Sequence, residues 1–492
     1  MSASVPEFVN RVRSHHRLRT AALLALLLFC GCQTATKHHL AAIADFEACA
    51  PQPALTSFDD AAAARKAETE IIRVDRAIAS LMSGNVHDCE SALRETRQQM
   101  DFLRQKDLRE QTAAVLTDDK AVAWSGREFE QRMVDNLLIL SSLLGNQQDA
   151  FAYATQVSEK MSADLAELSE EKSENDVMTV GHTRDVSASA VPPPARFSAN
   201  AFGAYLHAAV NSENAMNSDV TDRSVRQVAF WSPSLHDRPA DDNGLPTAFG
   251  TRTSQGHGVL HIITFAGRVS EWDAETAAPT SAALLIADQI LSAVGDHSLP
   301  PTVAPVRIAR PREDSSTHRF VTVAALADGP PDAAPVVSQT IVDLNKAAWD
   351  SYVHDRDHQI ARAVARRIVK KGAVYAAKDY LSVSNNTGVD LLLNLGGIAW
   401  EALEKPDTRH INLLPAHIES LQMELPVGQH TIRVSSLLKS RQPSAGRPGA
   451  DVQTVTVPID DGRNTFIVCF RPNDHTGQMR IVNPARGSSL SD

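Results

Sequence analysis

Excess positive charge is missing from this chain. Its 48 Lys and Arg are outnumbered by 59 Asp and Glu, giving a formal net charge of −11 at pH 7. Phosphate binding needs basic surface, so nucleic acid is excluded as a partner. A long apolar run is missing too. The most apolar stretch, Ala21 to Phe29, falls short of the roughly 20 residues that span a bilayer as a permanent helix. Cysteine is scarce, five residues in 492, which excludes a disulfide scaffold. No His-Glu-x-x-His and no Cys-x-x-Cys pair occurs, so zinc lacks its usual ligand spacing. Neither a phosphate-cradling glycine loop nor a Gly-x-Ser-x-Gly elbow is present. No cofactor or metal is expected. Ser-x-x-Lys appears twice, at Ser169–Lys172 and Ser436–Lys439, without any Lys-Thr-Gly. Two hits to so short a pattern read as chance, and the chain is expected not to be an enzyme.

What is present begins at the N-terminus. Arg11, Arg13, Arg17 and Arg19 precede the apolar run, with Glu7 the one acid among them. A basic region followed by a short apolar run and small residues describes an export signal. The run ends Leu-Phe-Cys-Gly-Cys-Gln, residues 28 to 33. This resembles a bacterial lipobox, in which a small residue precedes the cysteine that becomes acylated. Gly31 precedes Cys32, whereas bulky Phe29 precedes Cys30, so Cys32 is the expected lipid anchor and residues 1–31 the signal peptide. Phe29 stands where lipoboxes usually carry Leu. Several acyl chains on one residue attach stably where one holds only marginally. Gln33 follows in place of the Asp that retains lipoproteins in the inner membrane. The resemblance therefore implies a lipid-anchored outer-membrane protein facing the periplasm.

Beyond the anchor the chain reads as α+β. Residues 38–231 form an irregular, tetratricopeptide-like helical domain, with a polar linker at 172–198 that contains three consecutive prolines. Gly84 and Gly145, 61 residues apart, each follow an apolar helix and precede another. Both suit the left-handed position that ends a helix before an antiparallel partner. Residues 255–381 read as an α/β region with a long helix from about Ile341. Residues 382–472 read as a small β-sandwich, with turns at Pro426-Val427-Gly428 and Asp460-Asp461-Gly462. Residues 473–492 read as a flexible tail. On the long helix Arg362, Arg366 and Lys370 share one face, read as solvated or paired with the chain's own acids, with a membrane surface or an acidic partner as the alternative. Cys49, Cys89 and Cys469 are too few to pair completely. A Cys49–Cys89 bridge and buried free thiols both stay open.

Lys405 to Pro415 reads KPDTRHINLLP. It resembles a segment of a family of bacterial lipoproteins with tetratricopeptide-like N-terminal halves, whose members read Ala-Asp-Thr-Arg, then Trp, then Leu-Pro. Asp407, Thr408, Arg409, Leu414 and Pro415 match, while Pro406 replaces Ala and Ile411 replaces Trp. The segment Trp124 to Glu130, the LLGNQQDA turn, FGAYLHAAV, GVLHIITFAG and the long helix extend the likeness over nearly the whole mature chain. The family brings no activity with it, but some relatives accompany envelope lipoproteins that act on peptidoglycan synthesis. Asp407, Thr408 and Arg409 have two readings: a turn fixed by a charge-assisted pair, or a recognition site for a partner or glycan. The expected role is a non-catalytic scaffold whose helical hairpins present a concave surface to another envelope protein, with a peptidoglycan- or glycan-binding module as the alternative.

Overall fold

The sequence EIIRVDRAIASLMS, with Thr just before it and Gly just after, contains its own start and stop. In the computed structural model of the chain it is α3 (Glu70–Ser83). Thr69 Oγ1 accepts the Ile72 N–H at 3.4 Å, capping the first turn. Gly84 takes φ +89°, its N–H reaching the Leu81 carbonyl, while the Asn85 N–H reaches that of Ser80. The structure describes residues 36–65, 69–104, 123–145, 148–178, 193–232, 253–294, 299, 303–313, 320–327, 329, 335–380, 406–438, 452–473 and 478–483.

The helical half opens with α1 (36–47) and α2 (Pro51–Arg65). Hairpins follow: α3 with α4 (Val86–Arg104), α5 (Glu128–Leu144) with α6 (Ala150–Met178), and α7 (Ala199–Ser212) with α8 (Ser218–Trp231). Arg94 meets Tyr153, Arg97 meets Gln156, and Asp101 meets Lys160, so α4 and α6 run parallel, as stacked hairpins require. Every residue of α5 from Arg132 onward is buried, as is α7 from Ala199 to Ala209. Helices buried on every side must be covered on both faces. On one side lie α4, α6 and α8; on the other lies a sheet.

That sheet has the order β11-β10-β1-β7-β6, where β1 is His257–Ala266, β6 Gln339–Asp343, β7 His417–Pro426, β10 Asn464–Arg471 and β11 Arg480–Val482. Central β1 pairs parallel to β10 and antiparallel to β7. It is buried on both faces and reads as a largely apolar run, interrupted by the buried His261 and Thr264. Ile263, Phe265, Phe466, Val468 and Phe470 face the helices, with Phe202 edge-on to Phe265 at 6.1 Å. Leu260, Ile262, Ile467 and Cys469 face the other way. There they meet Ile432, Val434 and Val457 of a second sheet, β5 (Val336–Val337), β4 (Phe320–Leu326), β8 (Gly428–Leu438) and β9 (Val452–Ile459) in that order. The period-2 alternation thus serves two cores at once. Gly258 is required by close approach: a Cβ there would lie 2.4 Å from the Asp460 carbonyl oxygen. A ribbon of β2 (Trp272–Ala277) and β3 (Val306–Pro311) packs with α9 (Ser281–Val294) and the long α10 (Leu344–Tyr380).

The α+β class holds: helices fill the N-terminal half and strands dominate the C-terminal part. Several details differ from expectation. Gly145 has φ −93° and is not left-handed; its N–H closes the helix on Ser141 and Ser142. The α6 helix runs on to Met178, into the stretch expected as linker, and a 3-10 turn forms at Ala195–Phe197. Ile341 lies in β6, so the long helix starts at Leu344. The sandwich is not confined to 382–472, because β1 and β4 come from the preceding stretch and pair with its strands. Within the expected tail, Arg480–Val482 pairs with β10, and Met479 and Val482 are buried. Cys49 and Cys89 are unbridged; the Cys89 thiol sits 3.3 Å from Ser141 Oγ. On α10, Arg362 is exposed but Arg366 is fully buried, so those two do not share a solvated face. The apolar LLLNLGGIAW stretch lies outside the described residues.

Candidate functional site

Residues 406–416 belong to no helix or strand, yet they run through the interior between the two halves. Buried backbone groups need partners, and here side chains supply them. Glu130 Oε1 accepts the Ile411 N–H at 2.8 Å, while its Oε2 accepts the Arg127 N–H at 2.6 Å. Asp75 Oδ1 accepts the Leu413 N–H at 3.0 Å, and its Oδ2 accepts from Asn412 Nδ2 at 2.8 Å. Arg127 donates to the carbonyls of Arg409 (2.8 Å) and Asp407 (3.3 Å), and its guanidinium lies 3.5 Å over the Trp272 ring. Arg268 donates to the Asn412 carbonyl at 3.0 Å and pairs with Glu47 at 2.6 Å. The carbonyls of Leu414 and Ala416 accept from Val269 and Leu344. Elements α1, α3, α5, β2 and α10 therefore converge on this one segment.

Within it, Asp407 and Arg409 do come together. Arg409 Nε and Nη2 fork onto the two Asp407 oxygens at 2.8 Å each, and the Arg409 N–H adds 3.0 Å to Oδ1. The Thr408 carbonyl lies 3.1 Å from His410 Nδ1. The Arg409 fork is thus taken up by Asp407, two residues before it. Cys32 lies outside the described residues. Asp75, Arg127, Glu130 and Arg268 were not singled out from sequence. One signal was available: Asp75 interrupts an otherwise apolar helix face.

Burial sets the charges here. It pushes Asp75 up to about 7, against the opposing hydrogen bonds from Asn412 and Leu413. Burial likewise raises Glu130 and lowers Arg127, and it drops His410 to about 4.

A second polar cluster lies where α5, α6 and α7 meet. Oxygens of Glu128, Asp164 and Glu167 lie within 4.8 Å of one another, the one group among the described residues with ligand atoms gathered as for a metal. Asp164 is already held by a fork from Arg132 and by Asn200 Nδ2 at 2.7 Å, and Arg196 Nε lies 4.0 Å from Glu128. Burial, then the carboxylates of Asp164 and Glu167, push Glu128 up to about 8. Two arginines thus answer the charge that a cation would need.

The serines that could act as nucleophiles are closed off by burial or hydrogen-bonded to backbone carbonyls. Ser436 is fully buried in β8, and Ser169 Oγ donates to the Ala166 carbonyl at 2.7 Å. Ser224 sits 2.7 Å from His207 Nδ1, but it is buried and donates to the Val220 carbonyl. No family model, no curated protein and no solved structure matches this chain.

Proposed function

We propose that this chain is an outer-membrane lipoprotein, anchored by lipid on Cys32, that serves as a non-catalytic interaction scaffold in the cell envelope. The lipobox-like end of the leader supports the address. The observation that carries the scaffold role is the hairpin stack itself. Its inner helices α3, α5 and α7 are fixed against the chain's own sheet, so a partner meets the outer layer of α4, α6 and α8. That layer leaves Phe102 and Phe151 63% and 58% exposed, large apolar side chains of the kind enriched in protein interfaces. The concave inner face of an open helical repeat is not on offer.

The test uses the full lipidated chain in intact cells, with photo-crosslinking residues at positions 102 and 151. One dominant envelope protein, captured from both positions and lost on Phe102→Asp, supports the scaffold. Capture of peptidoglycan fragments without a stoichiometric protein overturns it and moves attention to the β half.

A further inference from the structure

The described part of helix α1 starts at residue 36, four residues after Cys32. Covalent geometry limits so short a tether to about 14 Å, whereas a compact chain of this length has a radius of gyration of about 23 Å. A lipid on Cys32 therefore brings the start of α1 to the headgroup layer and leaves the protein little freedom to turn that side away.

The exposed side of α1 suits the place. Lys37, Leu40, Ala41 and Ala44 are exposed, and Ala48 continues the row just past the helix end. These positions recur at helical spacing. Leu40 is 59% exposed, although apolar residues nearby in the helix (Ala42, Ile43, Phe46) are buried, Phe46 lying edge-on to Phe470 at 6.2 Å. No acid stands on the row, in a chain with net charge −11. The acids of α1 turn elsewhere: Asp45 accepts from Ser57 Oγ at 3.3 Å, and Glu47 binds Arg268. On neighbouring α2, Asp59 pairs with Arg76 at 2.9 Å, and Asp60 lies 3.8 Å from His38.

We infer that the exposed row of α1, with Leu40 at its centre and Lys37 at its start, lies along the lipid surface that holds Cys32; this rests on the lipidation stated above. Apolar and small residues enter the interface shallowly while a lysine stem extends its ammonium to the headgroups. A helix this short binds lipid weakly by itself. Tethering converts that weak contact into an intramolecular one at high effective concentration. The hairpin stack runs from α2 through α3 to α8, so α8 lies at the end remote from the membrane.

The test is made on full-length lipidated protein in vesicles of phosphatidylethanolamine and phosphatidylglycerol that carry a nickel-chelating lipid. Nitroxide labels are placed by Ala44→Cys on α1 and by Arg223→Cys on α8, each with Cys49→Ser, since Cys89 and Cys469 are buried. Relaxation by the nickel lipid is expected to be several-fold stronger at 44 than at 223, with Leu40→Glu plus Ala41→Glu closing most of the gap. Hydrogen exchange of the unsubstituted chain gives an independent reading: backbone amides of 37–48 should slow when vesicles are present. Equal relaxation at both labels, on protein whose N-terminal peptide carries lipid by mass spectrometry, overturns this orientation alone. Absence of lipid at Cys32 overturns the anchoring reading itself.

Discussion

Two buried carboxylates hold this molecule together in different ways. Glu419 sits between the two sheets and faces a countercharge: Arg471 Nη2 donates to it at 3.1 Å, with Ser338 Oγ at 2.6 Å and the Thr322 N–H at 3.2 Å. Asp75 sits between the helices and the 406–416 segment, where its close partners are amides, and His39 Nε2 is 3.8 Å away. The sheet–sheet seam carries its own compensation. At the helix–sheet joint, Asp75 has amide hydrogen bonds and only the more distant charge of Arg268 to set against its burial.

Removing Glu419 should be the most damaging of the changes considered. Glu419→Ala leaves the Arg471 guanidinium buried without its carboxylate, which typically costs about 3–5 kcal/mol. A large drop in urea midpoint should result, and most of it should return when Arg471→Met is added to Glu419→Leu. A single variant as stable as the parent would mean the pair does not hold the seam.

At the joint the effect should depend on pH. The folded value for Asp75, about 7, lies above its ordinary 3.8. The folded state therefore keeps a proton that the unfolded chain has lost. The contribution of Asp75 is fully present below about pH 4 and declines toward pH 7 by at most about 1.4 kcal/mol per pH unit, then levels. Unfolding free energies of the parent minus those of Asp75→Asn should trace that decline. A flat difference curve would show that Asp75 ionises freely in the fold.

Glu130→Ala should cost less. It strips one acceptor from the buried Ile411 N–H and one from the Arg127 N–H, and an orphaned buried donor costs about 1–3 kcal/mol. Glu130→Gln, which keeps an acceptor oxygen, should fall between the parent and Ala in thermal midpoint. Smallest is Gly84→Ala, where nothing within 4 Å obstructs a Cβ but φ is +89°. Left-handed strain of about 1–2 kcal/mol should appear in the unfolding free energy, with no loss of the folded circular dichroism spectrum.

Much of this frame was legible in the sequence. Thr69 and Gly84 bracket α3 by local chemistry, and the turns Pro426-Val427-Gly428 and Asp460-Asp461-Gly462 beside HIESLQMEL and NTFIVCFRP mark β7 and β10 as strands. Partners were not legible, because alternation says that a strand has two faces but not what lies beside it. Thus the parallel pairing of Val259 with Asn464 joins residues far apart in the chain, and it merges two stretches read as separate units. The three-residue β11 is too short for any period to show. Asp407 and Arg409 stood out because they match the Asp-Thr-Arg segment of the lipoprotein family that the sequence resembles. Asp75 and Glu130, which bind the segment after them, did not, because their partners are backbone N–H groups more than 280 residues away.

The joint between helices and sheet is tested most directly by residues 36–232 expressed alone and followed by urea unfolding. Without the sheet and the 406–416 segment, α3, α5 and α7 lose one of their two covers, and Asp75 and Glu130 lose their amide partners. The fragment should show no cooperative transition and should bind a hydrophobic dye. A cooperative transition with the midpoint of the full chain would contradict the joint and make the helical half a domain of its own.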